Sequence, residues 1–115
     1  MDNPPVAYDE HLAQRIRELM AIEPGLTERR MFGGLAFLIN GNMSVSASGQ
    51  GGLLLRIDPA RTEELAAEPH AGRFVMRGRE MDGWLRIDGE GVATTAQLAS
   101  WLARGAGYAR SLPPK

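Results

Sequence analysis

The stretch from Arg30 to Asp58 constrains the fold of this chain most strongly. It contains three apolar or alternating runs that are separated by glycine-rich turns. The first run, Leu35 to Ile39, is followed directly by Asn40-Gly41. Asn-Gly supplies the two positive-φ positions that a type I′ turn requires, so it is a strong short-range hairpin signal. The sequence therefore predicts an antiparallel hairpin centred on this dipeptide.

The second and third runs extend the hairpin into a meander. Residues 42–48 alternate between apolar residues and serines, which is typical of a strand with one buried and one solvent-facing side. The apolar side is expected to carry Met43, Val45 and Ala47, and the solvent side Ser44, Ser46 and Ser48. After a turn at 49–52, the third run places Leu53, Leu55 and Ile57 on one side and Leu54 and Arg56 on the other. A bare hairpin is marginally stable in water, so the apolar side must pack against another layer.

Three segments around the meander have helical patterns. The first runs from Asp9 to about Glu23, with its apolar residues on one face and Pro24-Gly25 as the stop. The second begins at Asp58-Pro59, where the aspartate can cap and the proline suits the first helical position, and ends near residue 68. The third begins at Thr94 with the pattern of a capping box and continues to about residue 110.

Two further strand regions complete the pattern. Residues 26–32 form a weaker strand candidate, and residues 70–73 read as a connector. Strands at 74–76 and 81–88 form a last hairpin that turns at Gly78-Arg79, and Asp82-Gly83 predicts a bulge or a later turn. The order is a helix, three or four strands, a short helix, two strands and a long helix. This order predicts a two-layer α+β sandwich, with an antiparallel sheet of five to six strands and helices on one face.

Length and composition limit the domain organisation and the class of function. At 115 residues, the chain is expected to form a single domain, 1–115, with a lead-in at 1–6 and a tail at 111–115 that lacks a partner segment. The net charge of −1 and the pI near 6.1 argue against general nucleic-acid binding, which usually needs a basic surface. There is no cysteine, no apolar run of about 18 residues and no signal peptide at the start, so a cytoplasmic protein is expected.

No residue pattern predicts catalysis, a cofactor or a metal site. His11 and His70 are far apart and lack the local spacing of metal ligands. The glycine-rich turns match no phosphate-binding motif. We therefore expect no catalytic, cofactor-binding or metal-binding residues.

The arginines around the last hairpin leave one alternative open. An anion site could form from the four arginines of this region, since the guanidinium group suits carboxylates and phosphates. They are Arg73, Arg77, Arg79 and Arg86. Glu80 and Asp82 lie among them, so cross-strand ion pairs on a solvated surface are the simpler interpretation. The alternative function is a small-molecule or anion-binding domain, or an enzyme. It predicts a concave pocket lined by Arg30, Arg77 or Arg86 near the turn at 31–34.

The second side of the predicted sheet is also apolar. Ala36, Leu38, Leu54 and Trp84 point away from the side that the helices are expected to cover. A contiguous exposed apolar patch of several hundred Å² is unusual on a monomer and marks an interaction site. Either this side binds a partner, most simply a second copy, or helix 2 or the C-terminal tail covers it.

Several local motifs resemble the N-terminal domain of the TfoX/Sxy family. The main one is Arg30-Met31-Phe32-Gly33-Gly34, which is followed by the run at 35–39 and by Asn40-Gly41. Three other segments also resemble this family: the start of the first helix at Tyr8-Asp9-Glu10, Gly83-Trp84 in the late strand, and the ending from Tyr108 to Lys115. The resemblance covers roughly residues 7–115. The Met-Phe-Gly-Gly element is fairly specific when it follows such a helix and precedes a hairpin.

The resemblance implies both a fold and a role. It implies a two-layer α/β fold of the secretion-chaperone-like kind and no catalytic residues. Full-length family members regulate natural competence as co-activators that work with a cyclic-AMP receptor transcription factor, and they carry a helical C-terminal domain. This chain ends where that domain would begin, so we expect a stand-alone, non-enzymatic regulatory module. Its partners would be proteins, such as the transcription machinery, or a second copy bound through the open sheet face. The candidate partner or anion surface comprises Arg30, Met31, Phe32, Gly33, Gly34, Leu38, Leu54, Trp84, Arg77 and Arg86.

Overall fold

The predicted α+β architecture is confirmed. The computed structural model describes residues 8–31 and 33–115. The helices are α1 (Glu10–Met20), α2 (Thr62–Ala66) and α3 (Thr95–Ser111). The strands are β1 (Leu26–Met31), β2 (Gly34–Ile39), β3 (Asn42–Ala47), β4 (Leu53–Arg56), β5 (Ala71–Met76) and β6 (Arg79–Ile87). All six strands form one antiparallel sheet in the order β1-β2-β3-β4-β6-β5, so β1 and β5 are its edges.

Local capping and turn chemistry places most element boundaries. Asn40 and Gly41 have φ angles of 53° and 84°, as the hairpin signal requires. The Asp9 carboxylate accepts the backbone N–H of Leu12 at 3.0 Å at the start of α1. Thr94 and Gln97 form the reciprocal capping box at the start of α3, with bonds of 3.1 and 2.9 Å.

The last hairpin differs from its prediction at two points. The connector predicted at 70–73 is wrong, because β5 already begins at Ala71, which pairs with Ile87. The turn lies one residue earlier than predicted, at Arg77-Gly78, with φ angles of 53° and 77°. The bulge predicted at Asp82-Gly83 is present, since the β5–β6 register shifts between Arg73 and the next residue and Gly83 has a φ of 86°. The arginine at the turn gave no glycine-like signal, so the sequence indicated a later turn.

The main core lies between the sheet and the three helices. Its central side chains are fully buried and come from strands and helices alike, including Ile16 of α1, Phe37 of β2, Leu55 of β4 and Leu98 of α3. Leu65 of α2 belongs to the same cluster. Burial of this apolar area is the main driving force for closing the helical layer onto the sheet.

A β-bulge in β3 overturns the predicted alternation of that strand. Phe37 pairs with Val45, but Leu38 pairs with Met43, so Ser44 is an extra residue without an opposite partner. Met43 therefore lies on the side of the sheet away from the helices, and the Ser44 hydroxyl lies near α3. The predicted solvent exposure of Ser44, Ser46 and Ser48 is wrong, because all three are buried.

The C-terminal tail has a partner segment, contrary to the prediction. The Asn42 side-chain amide donates to the Pro113 carbonyl at 2.9 Å, and the Lys115 backbone N–H donates to the Asn40 carbonyl at 2.8 Å. The tail is thus attached to the β2–β3 turn. Nothing in the tail's own sequence shows this contact, because the acceptor and donor groups lie about 70 residues away.

An ion pair ties α1 to the edge strand β1. Arg17 donates two hydrogen bonds to the Glu28 carboxylate, at 2.6 and 2.8 Å, and this contact lowers the pKa of Glu28 below its ordinary value. A carboxylate with a lowered folded-state pKa stabilises the fold above its unfolded pKa and loses that contribution as the pH falls through the folded value. We expect Glu28→Gln to lower the free energy of unfolding slightly at pH 7. The effect should shrink once the pH falls below the ordinary glutamate pKa of about 4.3 and should be lost below the lowered pKa that Glu28 has in the folded state.

The control for this ion pair is a double-mutant cycle. In an Arg17→Gln background, Glu28→Gln should have no such pH-dependent effect, since the partner that lowers the pKa is gone. Urea denaturation at several pH values measures both differences. An effect of Glu28→Gln that is unchanged at pH 3, or that persists without Arg17, would contradict the assignment.

Candidate interaction surface

A second apolar cluster lies on the side of the sheet that faces away from the helices. We call this side of the sheet the distal face. Its buried members are Ala36, Leu38, Met43 and Leu54, and its half-buried members are Met31, Phe74 and Trp84. Every one of these residues belongs to a strand, whereas the buried apolar side chains of the described helices belong to the helix-side core. The predicted division of the sheet into two apolar sides is therefore confirmed.

The accessible part of the distal face differs from the expected patch. Leu38 and Leu54 are only 5% and 6% exposed, so these two residues do not form an exposed surface. The accessible part of the cluster comes from the half-buried Met31, Phe74 and Trp84. Helix α2 does not cover this face, since its Leu65 packs into the helix-side core. The hydrogen bonds that the C-terminal tail makes with Asn40 and Asn42 lie at the β2–β3 turn.

Arg56 contacts both Trp84 on the distal face and the end of α3. Arg56 in β4 pairs directly with Trp84 in β6, and its guanidinium group lies 5.7 Å from the centroid of the indole ring. The same guanidinium lies 5.7 Å from the ring of Tyr108 in α3. Such cation–π contacts orient the arginine without a carboxylate. The sequence identified Trp84 as a candidate but gave no signal for Arg56, because its two aromatic neighbours are distant in sequence.

The Gly33-Gly34 turn provides a close approach of two backbones. Gly34 is buried beside the Ala47 carbonyl, and a Cβ built on it would lie 2.9 Å from the Ser46 hydroxyl oxygen. A Cβ on Gly49 would lie 2.6 Å from the Gly33 carbonyl oxygen. The turn therefore has a packing role in the sheet. Phe32, the remaining residue of this candidate group, lies outside the described residues.

The candidate arginines do not converge on one pocket. Arg30 lies on edge strand β1 on the helix side, 5.9 Å from the ring of Tyr8, and Arg77 lies in the turn beside the opposite edge. Arg86 lies on the distal face and donates to Ser48 at 3.0 Å, to Gln50 at 2.9 Å and to the Gly51 carbonyl at 2.8 Å. Arg86 therefore holds the β3–β4 turn.

The other arginines of the last hairpin divide between the two faces. Arg73 forms ion pairs with Asp82 at 2.7 Å and with Glu80 at 3.6 Å. These are the predicted cross-strand pairs. The contact with Asp82 raises the pKa of Arg73, which stays charged. Arg79 pairs with Met76 and is exposed on the distal side of the hairpin.

Two clefts flank Arg104 on the helix side, and sequence reasoning did not find them. One, of about 370 Å³, lies between α2 and the end of α3 and includes Arg61 and Tyr108. The other, of about 360 Å³, includes His70 and Trp101. Arg104 contacts Glu68 at 3.0 Å and lies 4.5 Å from the Trp101 ring, so its charge is already balanced.

His70 adopts a left-handed backbone conformation with a φ of 67° at the edge of the second cleft. Its Nδ1 lies 3.2 Å from the Asp88 carboxylate. Left-handed non-glycine residues cost energy and occur in turns and at functional sites. Here the Asp88 backbone N–H also donates to the His70 carbonyl at 3.0 Å, so pairing at the start of β5 accounts for the conformation.

Comparison with known families fits this geometry. Residues 18–109 match the family model described as the TfoX N-terminal domain. The chain belongs to this family, and the resemblance read from the motifs is confirmed. No curated protein and no solved structure matches the chain at a significant level. None of the helices in the described ranges combines the length and hydrophobicity of a transmembrane span.

Proposed function

We propose that this TfoX N-terminal domain protein is a non-enzymatic, cytoplasmic protein-interaction module that acts in regulation and makes contact through the distal face. Family membership supports the regulatory role. The second apolar cluster supports the choice of surface, since it is built from strands alone and its half-buried members include Phe74 and Trp84. Aromatic residues and methionines are enriched in protein interfaces.

The electrostatics of the described residues favour binding over catalysis. The pKa values of Arg17, Arg61 and Arg73 are raised and the pKa of Glu28 is lowered, and the largest cause in each case is a side-chain hydrogen bond in a solvent-accessible ion pair. Catalytic groups are usually perturbed by desolvation and by neighbours inside a cleft. The alternative anion-binding or enzymatic role gains no support from the arginines, because Arg30, Arg77 and Arg86 lie at separate places on the sheet.

A matched pair of substitutions on one hairpin tests the proposed surface. Met81 is half-buried, and its pairing with Phe74 places it on the distal face. Val75 points to the other side of the same hairpin and is 53% exposed. We expect Met81→Glu to reduce recovery of a specific protein partner from source-cell extract at least tenfold, since it places a charge within the apolar contact area. Val75→Glu should leave recovery unchanged. Affinity capture with quantitative mass spectrometry measures both.

Two outcomes would contradict the proposal. The wild type could enrich no protein above an unrelated domain of equal size, or Met81→Glu could capture the same partners as Val75→Glu. Thermal unfolding of both variants provides the control, since a loss of capture counts only if Met81→Glu remains folded at the assay temperature.

A further inference from the structure

The distal face combines methionines and aromatic rings with a rim of arginines. Of the five methionines in the described ranges, four lie on this side, and they are Met31, Met43, Met76 and Met81. Strand pairing places four arginines on the same side, because Arg29 is opposite Ala36, Arg56 opposite Trp84, Arg79 opposite Met76 and Arg86 opposite Leu54. Methionine surfaces adapt to differently shaped apolar partners.

The acidic residues of the described strands lie on the other side. Glu28 binds Arg17 of α1. Glu80 and Asp82 bind Arg73, whose strand partner Leu85 lies in the helix-side core. Although the whole chain has a net charge of −1, its strands thus present positive charge on one side. An overall charge near neutrality concealed this asymmetry from composition alone.

We propose that the distal face binds an acidic amphipathic segment of a partner protein. This inference rests on the proposed function and specifies the partner. Apolar side chains of such a segment would contact the half-buried aromatic residues and methionines of this face, which are Phe74, Trp84, Met31, Met76 and Met81. Its carboxylates would pair with the arginine rim, in keeping with the electrostatic complementarity of protein interfaces.

Charge complementarity favours this occupant over a second copy of the chain. A two-fold interface uses the same patch on both subunits, so it would bring two sets of arginines together. The strand carboxylates described above point to the helix side, so this interface would leave buried arginines without acidic partners. Single-stranded nucleic acid is also less favoured, because one of the two aromatic rings in this cluster, the Trp84 indole, has the Arg56 guanidinium 5.7 Å from its centroid and is less open to base stacking.

Binding to a designed peptide pair tests the inference. The probe is a fluorescently labelled 20-residue amphipathic helix with glutamates on its polar face and leucine and phenylalanine on the other. The matched control has lysine at every glutamate position. In fluorescence anisotropy, we expect the acidic peptide to bind at least tenfold more tightly than the lysine peptide, and its affinity to fall as salt increases.

Charge-reversal variants locate the site. Arg29→Glu combined with Arg79→Glu should weaken binding of the acidic peptide about tenfold. Arg15→Glu, in α1, combined with Arg61→Glu, in the turn just before α2, makes the same change of net charge and should leave binding within twofold. Equal weakening by both double variants would overturn the inference, as would tighter binding of the lysine peptide or of a 20-nucleotide thymidine oligomer.

Solution mass addresses the competing occupant. We expect light scattering to show a monomer at about 100 μM protein. A dimer that is abolished by the double variant Arg29→Glu, Arg79→Glu would overturn the inference. The failure of this inference and the failure of the proposed function can be distinguished. If Met81→Glu abolishes capture of a natural partner while the acidic peptide does not bind, the interaction role stands and the partner chemistry is wrong.

Discussion

Replacing Gly105 with leucine is expected to lower the free energy of unfolding by about 3 kcal/mol or more. Gly105 is buried in α3 where the helix crosses β3 and β4. A Cβ at this position would lie 2.7 Å from Leu55 Cδ1 and 3.0 Å from the backbone carbonyl oxygen of Ser44. Leu55 is fully buried and the Ser44 carbonyl is backbone, so neither can move far to make room. A leucine side chain would therefore push α3 away from the sheet.

The control lies one half-turn further along the same helix. Gly107 is exposed, and a Cβ built there meets nothing within 4 Å in the part of the chain that the structure describes. Gly107→Ala should raise the free energy of unfolding by about 0.5–1 kcal/mol, because alanine has the higher helix propensity. Urea denaturation followed by tryptophan fluorescence measures both variants. Two shifts of the same sign, or a Gly105→Leu effect below about 1 kcal/mol, would contradict the close packing of α3.

The Gly105 contact illustrates which parts of the fold the sequence predicts. Signals confined to a few residues were reliable: Asn40-Gly41 gave the hairpin turn, and Thr94 with Gln97 gave the start of α3. The bulge at Ser44 instead lies in a strand that Gly105 of α3 approaches from the far end of the chain. Period-two alternation cannot show where a residue is inserted into a strand, because an insertion reverses the side of every residue on one side of it.

The candidate surface was predictable to a similar extent. Alternation in β2 and β4 correctly placed Leu38 and Leu54 on the second side of the sheet. It could not show that these residues are buried within the chain itself, since exposure depends on neighbouring strands and not on local pattern. The arginine rim required the strand order as well, because Arg29 and Arg79 approach the same face from strands that are distant in sequence.

The second large effect concerns the Met-Phe-Gly-Gly element, whose two glycines serve different purposes. Gly34→Ala should lower the free energy of unfolding by about 2–3 kcal/mol, because its Cβ would collide with the Ala47 carbonyl and approach the Gly49 backbone nitrogen to 3.2 Å. Gly33→Ala should cost only about 1–2 kcal/mol, since Gly33 has a φ of 76° but its Cβ meets nothing within 4 Å among the described residues.

A third substitution separates the two possible causes of the Gly34 effect. A Cβ at Gly34 also lies 2.9 Å from the Ser46 hydroxyl oxygen, which Ser46→Ala removes, whereas the Ala47 carbonyl stays in every variant. If the backbone collision dominates, Ser46→Ala should recover less than about 1 kcal/mol of the loss in the Gly34→Ala background. Full recovery of the lost stability would show that the clash with the Ser46 hydroxyl alone explains why glycine is needed at position 34. A Gly33→Ala variant less stable than Gly34→Ala would contradict the assignment of close packing to Gly34, and would place the main constraint in the left-handed backbone of the turn.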